Sequence, residues 1–287
     1  MRIINYPVLI SVICVFALLT SCSLFDPSSP AASYIHIDSI RVKTDYATQG
    51  SSSCRVNDAW VIYDNKYLGT FPLPADIPLI GEGSHSISIK GGIIKNGIAA
   101  SRTSYPKYAS FDTIVTLSVK NKVTLSPIVN YLSGVQFPQI EDFDDASLSL
   151  VSTPSGIADL QITSIADPNA FEGNSGVVTL SDSASVFEVA SSSSFQLPLN
   201  TPSYVELNYN NGENLFTIGV FATTVNGIIR TDLVTLNPSH GIWKKIYIEL
   251  TDGLQSNGID YKIYLRAVKN SEVTTAKIYF DNLKVVY

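Results

Sequence analysis

From residue 34 onward, apolar and polar residues alternate with a period of two and hardly ever with 3.6. That is the pattern of half-buried strands rather than of amphipathic helices. Residues 34–42 open the series as one strand. Residues 59–63 and 67–71 flank Asp64-Asn65-Lys66, a turn of hairpin length. Residues 86–90 alternate again and run into Gly91-Gly92, which reads as a strand end. Residues 111–119 and 123–129 are predicted to pair about a turn at Lys120-Asn121-Lys122. Between these strands, residues 91–108 read as a long loop carrying Lys95, Arg102 and Lys107. Loops of that length in a compact domain are commonly functional, so this one is expected either to meet a partner or to brace the next module.

A second series begins near Gln136. Its strand candidates are residues 157–165, 177–180, 186–189, 204–209, 215–221, 228–236, 242–250, 261–268 and 276–286. Turn signals such as Asn210-Asn211-Gly212, Asn226-Gly227 and Ser256-Asn257-Gly258 divide them. The expected fold class is all-β. A small immunoglobulin-like sandwich over 34–132 precedes a jelly-roll sandwich over 136–287. Ser133-Gly134 is read as a hinge between modules that fold independently.

The first 33 residues follow no such pattern. Arg2 precedes an apolar stretch over 8–19, too short for a comfortable transmembrane span, and polar, Pro-containing sequence follows. Residues 1–21 read as an export signal. The stretch ends in Leu19-Thr20-Ser21-Cys22, which resembles the lipobox of bacterial lipoproteins. The resemblance implies cleavage before Cys22, a diacylglycerol on its thiol and an acylated amine. Several acyl chains together hold a protein on a membrane where one gives only marginal binding. Residues 22–33, rich in Ser, Pro and Ala, read as a flexible tether. With Ser23 after the Cys, the resemblance implies the outer membrane of a Gram-negative envelope, in either leaflet.

Composition narrows the partners. The 287-residue chain carries a net charge of −6, which argues against nucleic acid, whose recognition needs a basic surface. The charge is unevenly divided. Residues 34–130 hold ten Lys or Arg against seven Asp or Glu, and residues 136–287 hold eight against seventeen. No Lys or Arg lies between Lys122 and Arg230. Of three Cys, only Cys54 would remain beside an acylated Cys22, so no internal disulfide is expected. Candidate chemistry is sparse. His36, His85 and His240 stand apart, and no His-Glu-x-x-His, Cys-x-x-Cys, Walker loop or Gly-x-Ser-x-Gly occurs. The chain reads as a non-enzyme.

Two further resemblances attach to particular residues. The hairpin Tyr63-Asp64-Asn65-Lys66-Tyr67-Leu68-Gly69-Thr70 with the later Gly81-Glu82-Gly83-Ser84-His85-Ser86-Ile87-Ser88-Ile89 is similar to PEGA-like modules, which are adaptors and spacers. Asp64 and Gly69 match that pattern, and Asn65 replaces its turn glycine. Glu141-Asp142-Phe143-Asp144-Asp145, the turn Phe171-Glu172-Gly173-Asn174-Ser175 and the closing Ile278-Tyr279-Phe280-Asp281-Asn282-Leu283 resemble jelly-roll carbohydrate-binding modules. That resemblance implies a structural Ca²⁺ held by Glu141, Glu172 and Asp281. Sugar recognition also calls for aromatic faces beside polar groups. If the aliphatic face of the late strands is core, Trp243, Tyr247, Tyr264 and Tyr279 occupy the other face as candidate ligand contacts. Two functional readings stand: a lipid-anchored, non-catalytic glycan binder, and a scaffold lipoprotein engaging other envelope proteins.

Overall fold

The computed structural model describes residues 32–145 and 147–287. Residues 1–31, on which the expected export signal, Cys22 and most of the expected tether fall, lie outside them. The described residues are all-β, apart from a one-turn helix at Tyr46–Gln49 and a 3-10 turn at Thr251–Gly253. No helix of the described residues is long and apolar enough to cross a membrane.

The first module holds β1 (Ser33–Ile37), β2 (Arg41–Lys43), β3 (Asp58–Tyr63), β4 (Lys66–Pro72), β5 (Ala75–Leu79), β6 (Gly83–Ile94), β7 (Arg102–Ser104), β8 (Phe111–Leu117), β9 (Lys122–Leu125) and β10 (Ile128–Asn130). One layer runs β4-β3-β6, with β8 and β7 sharing the far edge of β6. The facing strands are β5-β1-β9 and the pair β2-β10. Ile35, Ile37, Val61, Ile77, Ile87 and Ile89, each the apolar member of its alternation, fill the space between. The Asp64-Asn65 hairpin forms with both residues at positive φ, 46° and 61°, as a two-residue turn requires.

Three expectations need correction. Residues 34–42 are two strands, because β1 pairs with β5 and β9 while β2 pairs with β10. Gly91-Gly92 lies inside β6 rather than ending it. A Cβ on Gly92 would come within 2.6 Å of the Trp60 indole nitrogen, so the glycine lets that ring lie across the strand. Residues 111–129 do not form a hairpin. β8 stays on β6, and after Lys120 (φ 62°) the chain crosses to the opposite layer, where β9 runs parallel to β1.

The second module contains β11 (Gln139–Glu141), β12 (Leu150–Ser152), β13 (Leu160–Ile162), β14 (Gly176–Leu180), β15 (Val186–Ser191), β16 (Tyr204–Asn210), β17 (Phe216–Thr224), β18 (Gly227–Leu236), β19 (Lys244–Glu249), β20 (Gly258–Val268) and β21 (Ala276–Val286). They form a jelly-roll sandwich of two sheets, β13-β14-β21-β16-β19, with β11 also on β21, and β12-β15-β20-β17-β18. Phe143, Phe187, Phe216 and Phe280 meet in its core with Val205, Leu207, Ile248, Ile263 and Leu265. Asn282, at φ 51°, is an extra residue in β21 opposite a register break in β16. This bulge lets Phe280 and Leu283 both face the core.

The modules are not joined by a hinge. Leu132–Val135 is a tight turn, and beyond it Gln136 exchanges both backbone hydrogen bonds with Tyr287. The outer face of β16, β19 and β21 lies beneath the first module. Tyr204, Tyr247 and Val286 belong to the same apolar cluster as Tyr105, Tyr108 and Tyr131. The 91–108 segment is a hairpin, β6 to β7, whose tip docks on β19. Asn96 donates its amide to the Tyr247 carbonyl at 2.8 Å and accepts the Glu249 amide at 2.8 Å, while Lys95 pairs with the Glu249 carboxylate. The segment is therefore the brace between modules.

Candidate functional site

The buried seam holds an unusual density of polar groups. Glu206 of β16, fully buried, accepts the hydroxyls of Tyr105 (2.8 Å) and Tyr131 (2.9 Å) on one carboxylate oxygen. Its other oxygen has no hydrogen-bond partner and faces the Lys245 ammonium at 3.8 Å. Lys245 donates to Asn208, and Ser53 of the first module donates to the same amide oxygen. Burial pulls the Lys245 ammonium below its ordinary range, against the pull of Glu206. Tyr247 receives the Arg55 amide on its hydroxyl at 3.0 Å. Cys54 lies beside this cluster with its thiol pushed up by burial, the state of a packed cysteine rather than a reactive one.

The four candidate aromatics do not share a face. Tyr247 is sealed in the seam at 1 % exposure. Trp243 and Tyr279 meet at one end of the same sheet, ring centroids 6.4 Å apart, with Phe171 at 5.1 Å from Trp243. Tyr279 is buried there, and the Trp243 indole donates to the Asn169 carbonyl. Tyr264 stands on the opposite sheet, also fully buried. Alternation placed each ring away from the aliphatic core, but it does not say which of two sheets a strand joins or what covers its outer face.

Nor do Glu141, Glu172 and Asp281 form one ion site. Among the described residues no three His, Cys, Asp or Glu side chains converge as metal ligands would. The Glu141 carboxylate folds back on its own loop and accepts the amides of Phe143 and Ser149. Glu172 accepts the Ser51 hydroxyl and the Asn282 amide group. Asp281 accepts the Ser175 hydroxyl at 2.9 Å and the amides of Glu172 and Asn282, and burial pushes its carboxyl up to about 7. Lys284, drawn down to about 8 by burial, donates to the Ser51 carbonyl.

The uncovered face is that of the second sheet. Its outward residues are Val151 of β12, Glu188 and Ala190 of β15, Lys262, Tyr264 and Arg266 of β20, Phe221 and Thr223 of β17, and Arg230 and Asp232 of β18. Gly219 is the key to their arrangement. A Cβ there would strike the Tyr264 phenol and the Thr231 carbonyl, and without one the Tyr264 ring lies across β17 so that its hydroxyl reaches Asp232. Phe221 packs on that ring with centroids 4.7 Å apart, and the Arg230 guanidinium sits 4.4 Å from the Tyr264 centroid. Arg230 also pairs with the buried Glu188 at 2.8 Å and with Asp232 at 3.1 Å. Glu188 accepts the Thr153 hydroxyl at 2.6 Å, with Arg266 at 3.7 Å. The buried Glu188 carboxylate is thus paired, which holds this part of the floor in place. Above it lies a groove of about 560 Å³ walled by the Val151–Ser155 segment, Ile228 and Lys262, with half-buried Phe221 in its floor.

Phe221, Glu188 and Arg230 escaped the sequence reading, although two signals were present. Phe221 is an aromatic out of phase with the core series Phe216, Ile218, Val220, Ala222, and Arg230 is the first cation after a gap of more than a hundred residues.

No protein-family model matches the chain, and no curated protein matches its sequence. Solved structures similar to it include carbohydrate-binding modules. The C-terminal family 22 module of Clostridium thermocellum Xyn10B is 11% identical, covering 52% of this chain and 92% of its own, with a TM-score of 0.38. The family 11 module of the Clostridium thermocellum cellulosomal cellulase Lic26A-Cel5E is 15% identical over 53% and 95%, with a TM-score of 0.36. A structure of carbohydrate-binding modules of the β-sandwich superfamily is 11% identical over 80% and 84%, at 0.41. The likeness is one of fold.

Proposed function

We propose that this chain is a lipid-anchored, non-catalytic envelope protein that binds glycan in the groove on the outer face of the jelly roll's second sheet. Anchoring rests on the Leu19–Cys22 lipobox and the Ser- and Pro-rich tether behind it. Glycan binding rests on one observation, the rigid groove with Phe221 in its floor and hydroxyl, ammonium and guanidinium groups along its walls. An apolar ring suits the CH face of a pyranose, and the polar rim suits its hydroxyls. The scaffold reading drew on the 91–108 segment, which is engaged by the jelly roll itself.

The test is a glycan array probed with the whole chain in detergent, followed by titration of any hit against Phe221→Ala. Loss of the ring is expected to weaken binding about tenfold, the worth of an aromatic contact, with the unfolding midpoint little changed. No glycan bound at millimolar concentration, or equal binding by Phe221→Ala, would overturn the assignment.

A further inference from the structure

A second cleft lies where the two modules meet, beside the edge strand β19. It encloses about 490 Å³ and is lined from the first module by Arg55, Asn57 and Asn96 and from the jelly roll by Tyr209, Asn237 and Lys244. Its lining includes the three cations Arg55, Lys244 and Lys245 and no carboxylate, in a chain of net charge −6 whose second module is strongly acidic. Lys245 is engaged by Glu206 and Asn208. Arg55 and Lys244 make no side-chain hydrogen bond or ion pair among the described residues, and neither do the side-chain amides of Asn57 and Asn237. The position is fixed from both sides. The Arg55 amide is held by Tyr247, and Asn96 is pinned to β19 by its two backbone contacts. Ile94, Ile98 and Ile246 supply an apolar strip along the wall.

We infer that this inter-module cleft binds a carboxylate-bearing saccharide, a short uronic-acid oligomer. Two unpaired cations in one cavity without a facing acid ask for negative charge, and the Arg fork suits a carboxylate. Side-chain amides offer both donors and an acceptor, which matches the hydroxyls of a sugar better than the mostly acceptor oxygens of phosphate. The volume falls in the range of small-molecule sites, which favour domain interfaces. The inference is independent of the groove on the second sheet.

The whole chain in detergent is titrated calorimetrically with tetragalacturonic acid, the neutral galactotetraose and inorganic phosphate. The acidic tetrasaccharide is expected to bind at least about tenfold tighter than the neutral one, with affinity falling as salt rises. Arg55→Gln and Lys244→Gln, both at solvent-accessible positions, are each expected to lower that affinity about tenfold, whereas Phe221→Ala leaves it unchanged. Equal affinity for the acidic and neutral sugars, phosphate binding as tight as the uronate, or insensitivity to both cation substitutions overturns the inference. Loss of uronate binding in Phe221→Ala alone would also overturn it and would place the ligand in the other groove.

Discussion

Lys245→Met probes what locks the two modules together. The Lys245 side chain is 2% exposed and Glu206 is fully buried, so neither charge has water to fall back on. Two tyrosine hydroxyls satisfy one oxygen of Glu206, and the other has only the ammonium at 3.8 Å. Removing the cation strands that oxygen, and breaking a buried pair in this way costs about 3–5 kcal/mol. Glu206→Gln combined with Lys245→Met removes both charges and keeps an acceptor for Tyr105 and Tyr131. Replacing both partners of a buried pair is often close to neutral, so the double variant should recover at least about 1–2 kcal/mol relative to the sum of the singles. Urea unfolding followed by tyrosine and tryptophan fluorescence measures all four corners of the cycle. Because the seam and the first module's core form one apolar cluster, a single transition is expected throughout. Additive effects, or a cost below about 1 kcal/mol for Lys245→Met, would refute the reasoning, since surface pairs alone behave that way.

Other outcomes follow from the same structure. Cys22→Ala is expected to move the chain from the membrane fraction to the soluble one, as read by detergent partitioning. Asp281, raised from 3.8 to about 7 in the folded chain, holds a proton that the unfolded chain has lost, so its contribution to stability is present at low pH and disappears as pH rises through 7. Lys284, lowered from 10.5 to about 8, acts in the opposite sense, adding stability as pH climbs from 8 toward 10.5. Unfolding midpoints from pH 4 to 10 should therefore dip near pH 7–8, and Asp281→Asn should flatten the acidic side. Gly219→Ala should destabilise by about 1–3 kcal/mol, the usual cost of overpacking, and weaken any ligand of the second-sheet groove by displacing Tyr264. Expressed alone, residues 136–287 are expected to unfold less cooperatively than the whole chain, because the outer face of β16 would be left bare.

Much of the fold was legible in period-two alternation, and the reason it sufficed is visible in β17 and β20. Phe216, Ile218, Val220 and Ala222 lie beside Ala267, Leu265, Ile263 and Tyr261 on the core face of one sheet, with polar residues at most of the intervening positions. β11 and β12, three residues each, are too short to show a period. β16 explains why the seam was invisible. Tyr204, Glu206, Asn208 and Asn210 alternate with Val205 and Leu207 as a solvent face would, yet all seven residues of the strand are buried. Alternation records the polarity of a face, and a face covered by another module through hydrogen bonds keeps its polarity. The same blindness separated Tyr247 from Tyr264: their strands carry similar patterns, but one sheet is roofed and the other open.

The opposite charge of the two modules suggests attraction as the force that joins them, and the seam argues otherwise. The first module presents tyrosine hydroxyls to Glu206, and the countercharges Lys245 and Lys284 come from the jelly roll itself. Among the described residues only Lys95 with Glu249 forms an ion pair across the junction, at its rim. The union is therefore made by aromatic burial and hydrogen bonds more than by ion pairs, while Arg55 and Lys244 line the cleft without an ion pair among the described residues. A joint built this way covers one sheet face and leaves two surfaces open: the groove over Phe221, where Glu188, Arg230 and Asp232 are paired, and the inter-module cleft, where Arg55 and Lys244 make no ion pair among the described residues.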